Sequence, residues 1–187
     1  MDINEGLRKF VNEKYDESHT AADYQVAGEY RRYWERVWGL DDGVKSDRFS
    51  HFIASGKMRE LDAVPDSIST LRQVKDKYDL VMVTARSEFE VAYTNDWLDQ
   101  HAPGLFNAVA FMFEWEQPHS KVTKADICQK LGATYLIDDN YDHCRIASEL
   151  GIHTLLFGDY GWNREVIPLG NMTQVHDWLA VRRFFDE

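Results

Sequence analysis

The sequence predicts an α/β fold: a Rossmann-like parallel sheet wound by helices, with a small helical cap inserted near the N-terminus. Three observations predict it. From Val64 onward, short apolar runs alternate with helix-length stretches. Those runs show no polar alternation, as befits strands covered on both faces. Residues 16–62 contain no such run and are dense in aromatic and charged residues instead.

Taken in order, residues 5–15 place Leu7, Phe10, Val11 and Tyr15 at helical spacing. In the block that follows, Tyr24, Tyr30, Tyr33, Trp34, Trp38, Phe49, His51 and Phe52 lie among many charges, and Gly43 with nearby acidic residues divides it into two helical pieces. The aromatics are expected to form the core of the cap, with a few facing a cleft where a base or sugar would stack. Pro65 suits the first turn of a helix running to about Lys77. Leu80–Val83 reads as a strand ending at Thr84-Ala85-Arg86, and Ser87 with Glu90 forms a capping box that opens a helix to His101. Ala108–Phe113 is the next strand, followed by a polar loop over 114–120 and a helix from about Thr123 to Leu131. The run Tyr135–Ile137 ends abruptly in Asp138 and Asp139. Tyr141–Leu150 is helical and Gly151 stops it. His153–Phe157 is the last expected strand, Gly158–Asn163 a turn-rich loop, and Gln174–Phe185 the terminal helix. Strands are thus expected near 79–84, 108–113, 134–138 and 153–157. The core comprises 1–15 and 63–187, the cap 16–62.

Composition narrows the function. The chain has 187 residues, 44% hydrophobic and 13% aromatic, enough for a real core in one domain with an insertion, or in one large domain with a small satellite. A net charge of −11 argues against binding a nucleic-acid polymer through its backbone. A small phosphorylated substrate stays open, because a bound metal reverses the local sign. Cys128 and Cys144 both fall in expected helices and read as buried thiols of a reducing compartment. No apolar run approaches the roughly 20 residues of a membrane span, and Met-Asp-Ile-Asn-Glu is no signal peptide. The expectation is a cytoplasmic protein without membrane attachment; the oligomeric state leaves no mark in the sequence.

In open α/β sheets, ligands sit beyond the carboxyl ends of the strands. Asp138 and Asp139 end one strand, Thr84 ends another, and Lys124 opens the helix between them. Adjacent carboxylates are hard oxygen ligands suited to Mg²⁺. An ammonium and a hydroxyl beside them would hold phosphoryl oxygens. Each residue also has a plainer reading: Asp138 as the cap of the following helix, Asp139 solvated, Lys124 a surface charge and Thr84 a helix-approach residue. Arg86, Tyr33 and Trp34 are candidate substrate contacts.

With these residues the sequence resembles the haloacid-dehalogenase-like superfamily of phosphohydrolases, and within it the 5′(3′)-deoxyribonucleotidase-like group. The resemblance runs over nearly the whole chain and is clearest in LVMVTAR (Leu80–Arg86), KADICQKLGATYLIDDN (Lys124–Asn140) and LLFGDYGWN (Leu155–Asn163). It implies that Thr84 binds phosphate, that Lys124 is the family's lysine (Lys121 being the fallback) and that Asp138 and Asp139 form the acidic metal motif for Mg²⁺. Members of the group open with an apolar strand ending Asp-x-Asp, the first Asp a nucleophile and the second an acid/base. Here Asp2-Ile3-Asn4 aligns with that motif, with Asn4 in place of the second Asp and only Met1 ahead of Asp2. The strand that would lie between those ending at Thr84 and Asp138 is therefore expected to be missing, leaving its two neighbours unpaired or paired directly. The function implied is a Mg²⁺-dependent phosphomonoesterase for a nucleotide-like substrate. In it Asp2 would form an aspartyl phosphate, and Asp2, the Asn4 carbonyl, Asp138 and Asp139 would hold the metal. The alternative is a catalytically impaired or dead relative with a binding or regulatory role, because Asn cannot exchange a proton as a carboxyl does.

Overall fold

The computed structural model describes residues 1–25, 27, 33–39, 42–116 and 121–186, and the backbone alone for 33–34 and 42–46. Strand β1 (Val81–Thr84) pairs in parallel with β2 (Ala108–Phe111), Val81 opposite Ala108. Strand β4 (His153–Phe157) lies between β3 (Tyr135–Asp138) and β5 (Met172–Val175), parallel to both. These form two separate sheets, ordered β1–β2 and β3–β4–β5, and β1 and β3 are not hydrogen-bonded to each other. Direct pairing of the strands ending at Thr84 and Asp138, one of the two expected outcomes, is thus not seen.

All four expected strands are present, three of them shorter at one end and the fourth as expected. The second stops at Phe111, where the chain turns into a 3₁₀ helix over Met112–Trp115. Strand β5 corrects the sequence reading, which placed Gln174 and Val175 in the terminal helix; that helix, α8, spans only Trp178–Asp186. Met-Thr-Gln-Val is too short and too polar to announce itself. It is extended because the free edge of β4 supplies its hydrogen bonds, an influence stronger than local propensity in strands.

Helix α1 (Ile3–Tyr15) starts two residues earlier than expected because the Asp2 carboxylate accepts the Glu5 N–H at 3.2 Å and caps it. Its buried face, Leu7, Phe10 and Val11, packs with Phe52, Met58 and Leu61 of the helical block and with Trp97 and Leu98 of α5 (Val91–His101). Burying each such side chain is worth about 1.5–3 kcal/mol. Gly6 permits the close approach: a Cβ there would stand 2.0 Å from Leu61 Cδ2. The block itself contains a 3₁₀ turn (Ala22–Gln25), α2 (Tyr33–Trp38), α3 (Asp42–Ala54) and a second 3₁₀ turn (Lys57–Glu60), with no strand among the described residues. Gly43 lies inside α3; Gly39, at φ +61°, follows α2 instead. Tyr24, Trp38 and Phe52 share one core with α1 and α5.

The sheet is flanked on one face by α6 (Lys124–Lys130) and α7 (Tyr141–Glu149). Ala125 and Cys128 of α6 pack with Ala147 of α7, Leu136 of β3 and Val83 of β1. Tyr135 and Ile137 point the other way, against Val181, Trp178 and Phe184 of α8. Helix α4 (Ser67–Lys75) begins after Pro65 and Asp66, two residues later than expected, and Thr70 Oγ1 donates to Trp178 O at 3.2 Å to tie it to α8. Both cysteines are free and buried. Among the described residues no helix is long and apolar enough to cross a membrane.

Candidate active site

Strand β3 delivers Asp138 to the carboxyl end of the sheet with its side chain 5% exposed. Helix α6, whose start is fixed by the Thr123–Asp126 capping box, places Lys124 Nζ 2.6 Å from Asp138 Oδ2. The other carboxylate oxygen accepts the Asn140 N–H at 2.9 Å and faces His143 Nδ1 at 3.1 Å. Burial pushes the Asp138 carboxyl up, but the Lys124 ammonium and His143 together outweigh it and hold it below the usual carboxylate range. The plainer reading of Asp138 as a helix cap is overturned. Asn140 caps α7, its side-chain oxygen accepting from Asp142 and His143 N–H at 2.9 and 3.3 Å. Asp139 has the opposite character: burial and the charge of Asp138 push it up to about 6. His143 escaped sequence reasoning, although its place in the first turn of the helix after Asp138 is a readable signal.

The loop 158–163 fastens this end of the sheet. Asn163 is fully buried, and its amide donates to Asp139 O at 2.9 Å and Phe157 O at 2.8 Å, joining the ends of β3 and β4. Its oxygen accepts the Tyr160 N–H at 2.9 Å. Trp162 Nε1 donates to Asp139 O at 3.1 Å, and the Tyr160 and Trp162 rings stack with centroids 4.7 Å apart. Gly158, at φ +90°, leaves room for the Tyr160 ring, which a Cβ would meet at 2.3 Å. Asn163→Leu is expected to destabilise the protein by roughly 1–3 kcal/mol, since it takes the Asn163 donor from the buried Phe157 carbonyl while Asp139 O keeps Trp162 Nε1. Urea denaturation checks this, and a loss under 1 kcal/mol would mean that water replaces the amide.

Asp2, Asn4, Arg86, Lys124, Asp138 and Asp139 line one cavity of about 1080 Å³, with Tyr160 and Trp162. Asp2 donates its N–H to Asp62 O at 2.8 Å. Asn4 stands in the first turn of α1, where helical geometry commits its carbonyl to the amide of residue 8. That leaves Asn4 the second lone pair of its carbonyl and its side-chain amide to offer. Arg86 is half-buried beside Met1, donating to Thr94 Oγ1 at 2.8 Å and Met1 Sδ at 2.9 Å; desolvation lowers its pKa. Thr84 ends β1 at 9% exposure, and its hydroxyl accepts the Arg86 N–H at 3.3 Å. Lys121, the fallback lysine, is exposed. The side chains of Tyr33 and Trp34 lie outside the described residues.

A family model for the 5′ nucleotidase, deoxy (pyrimidine), cytosolic type C proteins matches residues 2–184. The chain belongs to this family. Among solved structures, a hydrolase of the haloacid dehalogenase-like family from Streptococcus pneumoniae superposes with a TM-score of 0.61 at 15% identity, over 97% of this chain and 89% of that one. That likeness establishes the fold. No curated protein matches. For a member of this 5′-nucleotidase family, the carboxylates, lysine and cavity gathered at the strand ends are where a phosphate ester is to be sought.

Among the described residues no three His, Cys, Asp or Glu side chains form a ready metal cage. Asp138 and Asp139 nonetheless fit a divalent cation of oxygen preference. Burial and the charge of Asp138 disfavour ionised Asp139, and a bound cation would offset both.

Proposed function

We propose that the protein is a Mg²⁺-dependent phosphomonoesterase acting on a small nucleotide-like substrate through an aspartyl phosphate on Asp2. The observation that carries this reading is the buried Lys124–Asp138 pair beside Asp139, at a cavity that Asp2 also lines. Bound Mg²⁺ would neutralise charge on the phosphoryl group. It would be held by Asp138 and Asp139, with Asp2 and the Asn4 side chain as further ligands. Lys124 would bind a phosphoryl oxygen while it positions Asp138. Thr84 and the backbone around Arg86 would hold another, and the Arg86 guanidinium would add positive charge. The Asp2 carboxylate would attack phosphorus, the ester oxygen leaving as an alcohol with a proton taken from solvent, and water would then split the acyl phosphate to regenerate Asp2 and release phosphate. Tyr160 and Trp162 offer a stacked face on the same cavity for the organic part of the substrate. Tyr33 and Trp34 are proposed as further substrate contacts.

One observation favours the impaired reading as a second possibility: Asp2 and Asn4 sit on a helix terminus, one as its cap, and Asn4 has no proton to exchange. Turnover of an aryl phosphate and of a panel of nucleoside monophosphates, with and without Mg²⁺, separates the two. Activity that needs Mg²⁺ and disappears in Asp2→Ala supports the enzyme; its absence on every substrate supports a binding role.

The metal also has a reading without turnover. With Mg²⁺ chelated, Asp139 titrates near 6 in the folded protein and near 4 unfolded. Between these values the native state binds more protons, so this group's contribution to stability falls as pH rises from about 4 to 6. Millimolar Mg²⁺ should remove that fall and raise the melting temperature at pH 7.5. Replacing both Asp138 and Asp139 by Asn should abolish the Mg²⁺ response. An unchanged melting temperature across Mg²⁺ concentrations would count against the site.

A further inference from the structure

An alkoxide leaving phosphorus needs a proton, and Asn4 has none to exchange. The cavity that Asp2 and Asn4 line has few other titratable groups. Asp2 is committed to attack, and Asp138 and Asp139 are ionised when they hold a cation. Lys124 is paired with Asp138 at 2.6 Å, and a guanidinium such as that of Arg86 does not give up its proton. Cys128 is buried in the layer against Leu136 and Ala147. Tyr78, Asp79 and Tyr135 lie at the opposite ends of β1 and β3, a strand length away. Tyr160 remains. Its ring lies over Gly158, where a Cβ would meet Cε2 at 2.3 Å and Cζ at 3.1 Å. The Trp162 ring stacks on it with 9° between the planes, and the buried Asn163 side chain accepts its N–H. Backbone and indole therefore hold the phenol in place on the cavity wall. Among the described residues its hydroxyl makes no hydrogen bond, so its proton is unspent. Burial first, and then the charges of Asp139 and Asp2, push this phenol up to about 12. It carries its proton at neutral pH and stands within the field of both carboxylates.

We propose that the Tyr160 hydroxyl protonates the leaving oxygen of the phosphate ester, in place of the carboxyl that Asn4 lacks. The proposal rests on the phosphatase reading above. As Asp2 attacks, the bond from phosphorus to the ester oxygen breaks, its electron pair stays on that oxygen, and the phenol proton joins it. The phenolate then takes a proton from the water that attacks the acyl phosphate. That restores the phenol and frees phosphate and the Asp2 carboxylate. The proton still comes from solvent water, by way of Tyr160. An alkoxide is a stronger base than a phenolate even in this setting, so the transfer is favourable. Nitrophenolate is a weaker base and leaves without it. A phenol is also a weaker acid than a carboxyl, so Asn4→Asp still adds to turnover.

The test compares kcat/KM, which reports the steps up to loss of the leaving group, for an alkyl phosphate and for nitrophenyl phosphate with Mg²⁺ present. Tyr160→Phe keeps the ring and its stacking, and melting temperature checks that the fold survives. The expected result is an alkyl-to-nitrophenyl ratio of kcat/KM lowered by about ten- to a hundredfold, the lower part of the range for a general acid. In an Asn4→Asp background the same substitution should change that ratio by less than about threefold, because the carboxyl then supplies the proton. The unaltered protein gives a reading that needs no variant: its kcat/KM for the alkyl ester should fall by about twofold or more in D₂O, as expected when a proton moves in the rate-limiting step. A ratio unmoved by Tyr160→Phe, an equal loss on both esters, an equal loss in both backgrounds or no isotope effect would overturn the proposal. Nitrophenyl turnover with none of the alkyl ester would do the same. Turnover that needs Asp2 but ignores Tyr160→Phe overturns this proposal alone. No turnover of either ester overturns the phosphatase reading, and this proposal with it.

Discussion

Lys124→Met is expected to lower the unfolding free energy by about 3–5 kcal/mol, because it leaves the Asp138 carboxylate buried without its cation. The two side chains are 15% and 5% exposed and 2.6 Å apart, so solvent does little to screen them. His143 and the Asn140 N–H remain on the other oxygen and account for the lower end of the range. Urea denaturation at pH 7 measures the loss. Lys124→Met combined with Asp138→Leu should recover much of it, since a buried ion pair exchanged for apolar groups is often near neutral. A single-variant loss below 1 kcal/mol would show that water reaches Asp138.

Asn4→Asp is expected to raise turnover of alkyl phosphomonoesters by about 10²–10⁴-fold, the usual contribution of a general acid/base. Aryl phosphates should gain least, because their leaving group departs without a proton. The fold should tolerate the change, since a carboxylate in the first turn of α1 is favourable to the helix. The gain requires Asp2 to be held at the phosphorus, and a nucleophile misplaced by about 1 Å loses about 10²-fold. Steady-state kinetics of Asn4→Asp, alone and with Asp2→Ala, decide the matter. A gain that survives Asp2→Ala would show that another group attacks.

Local chemistry was the most legible part of the sequence. The Ser87–Glu90 capping box, the run ending at Asp138 and the helix opened by Lys124 all stand where expected, because each is specified by residues within a few positions. What was illegible depends on distant neighbours. Strand β5 exists because β4 has an edge to offer. Asn163 was visible only as part of a turn-rich loop, and its two carbonyl partners come from different strands. Asp2 was aligned to a strand end, whereas its cap to Glu5 makes the same residues a helix start. The lysine–carboxylate pair was inferred from order along the chain, but His143 completing it was not.

The core shared by α1 and the helical block has a mechanical consequence. Leu7, Phe10 and Val11 are locked into Phe52, Met58 and Leu61, and Asp2 rides on the end of that helix. Lys124, Asp138 and Asp139 belong to the opposite body, the three-stranded sheet and its helices. Any displacement of the aromatic block relative to that sheet therefore carries Asp2 with it, toward or away from the carboxylates. On the proposed reading, helix α1, about four turns long, would couple admission of a substrate to the alignment of Asp2.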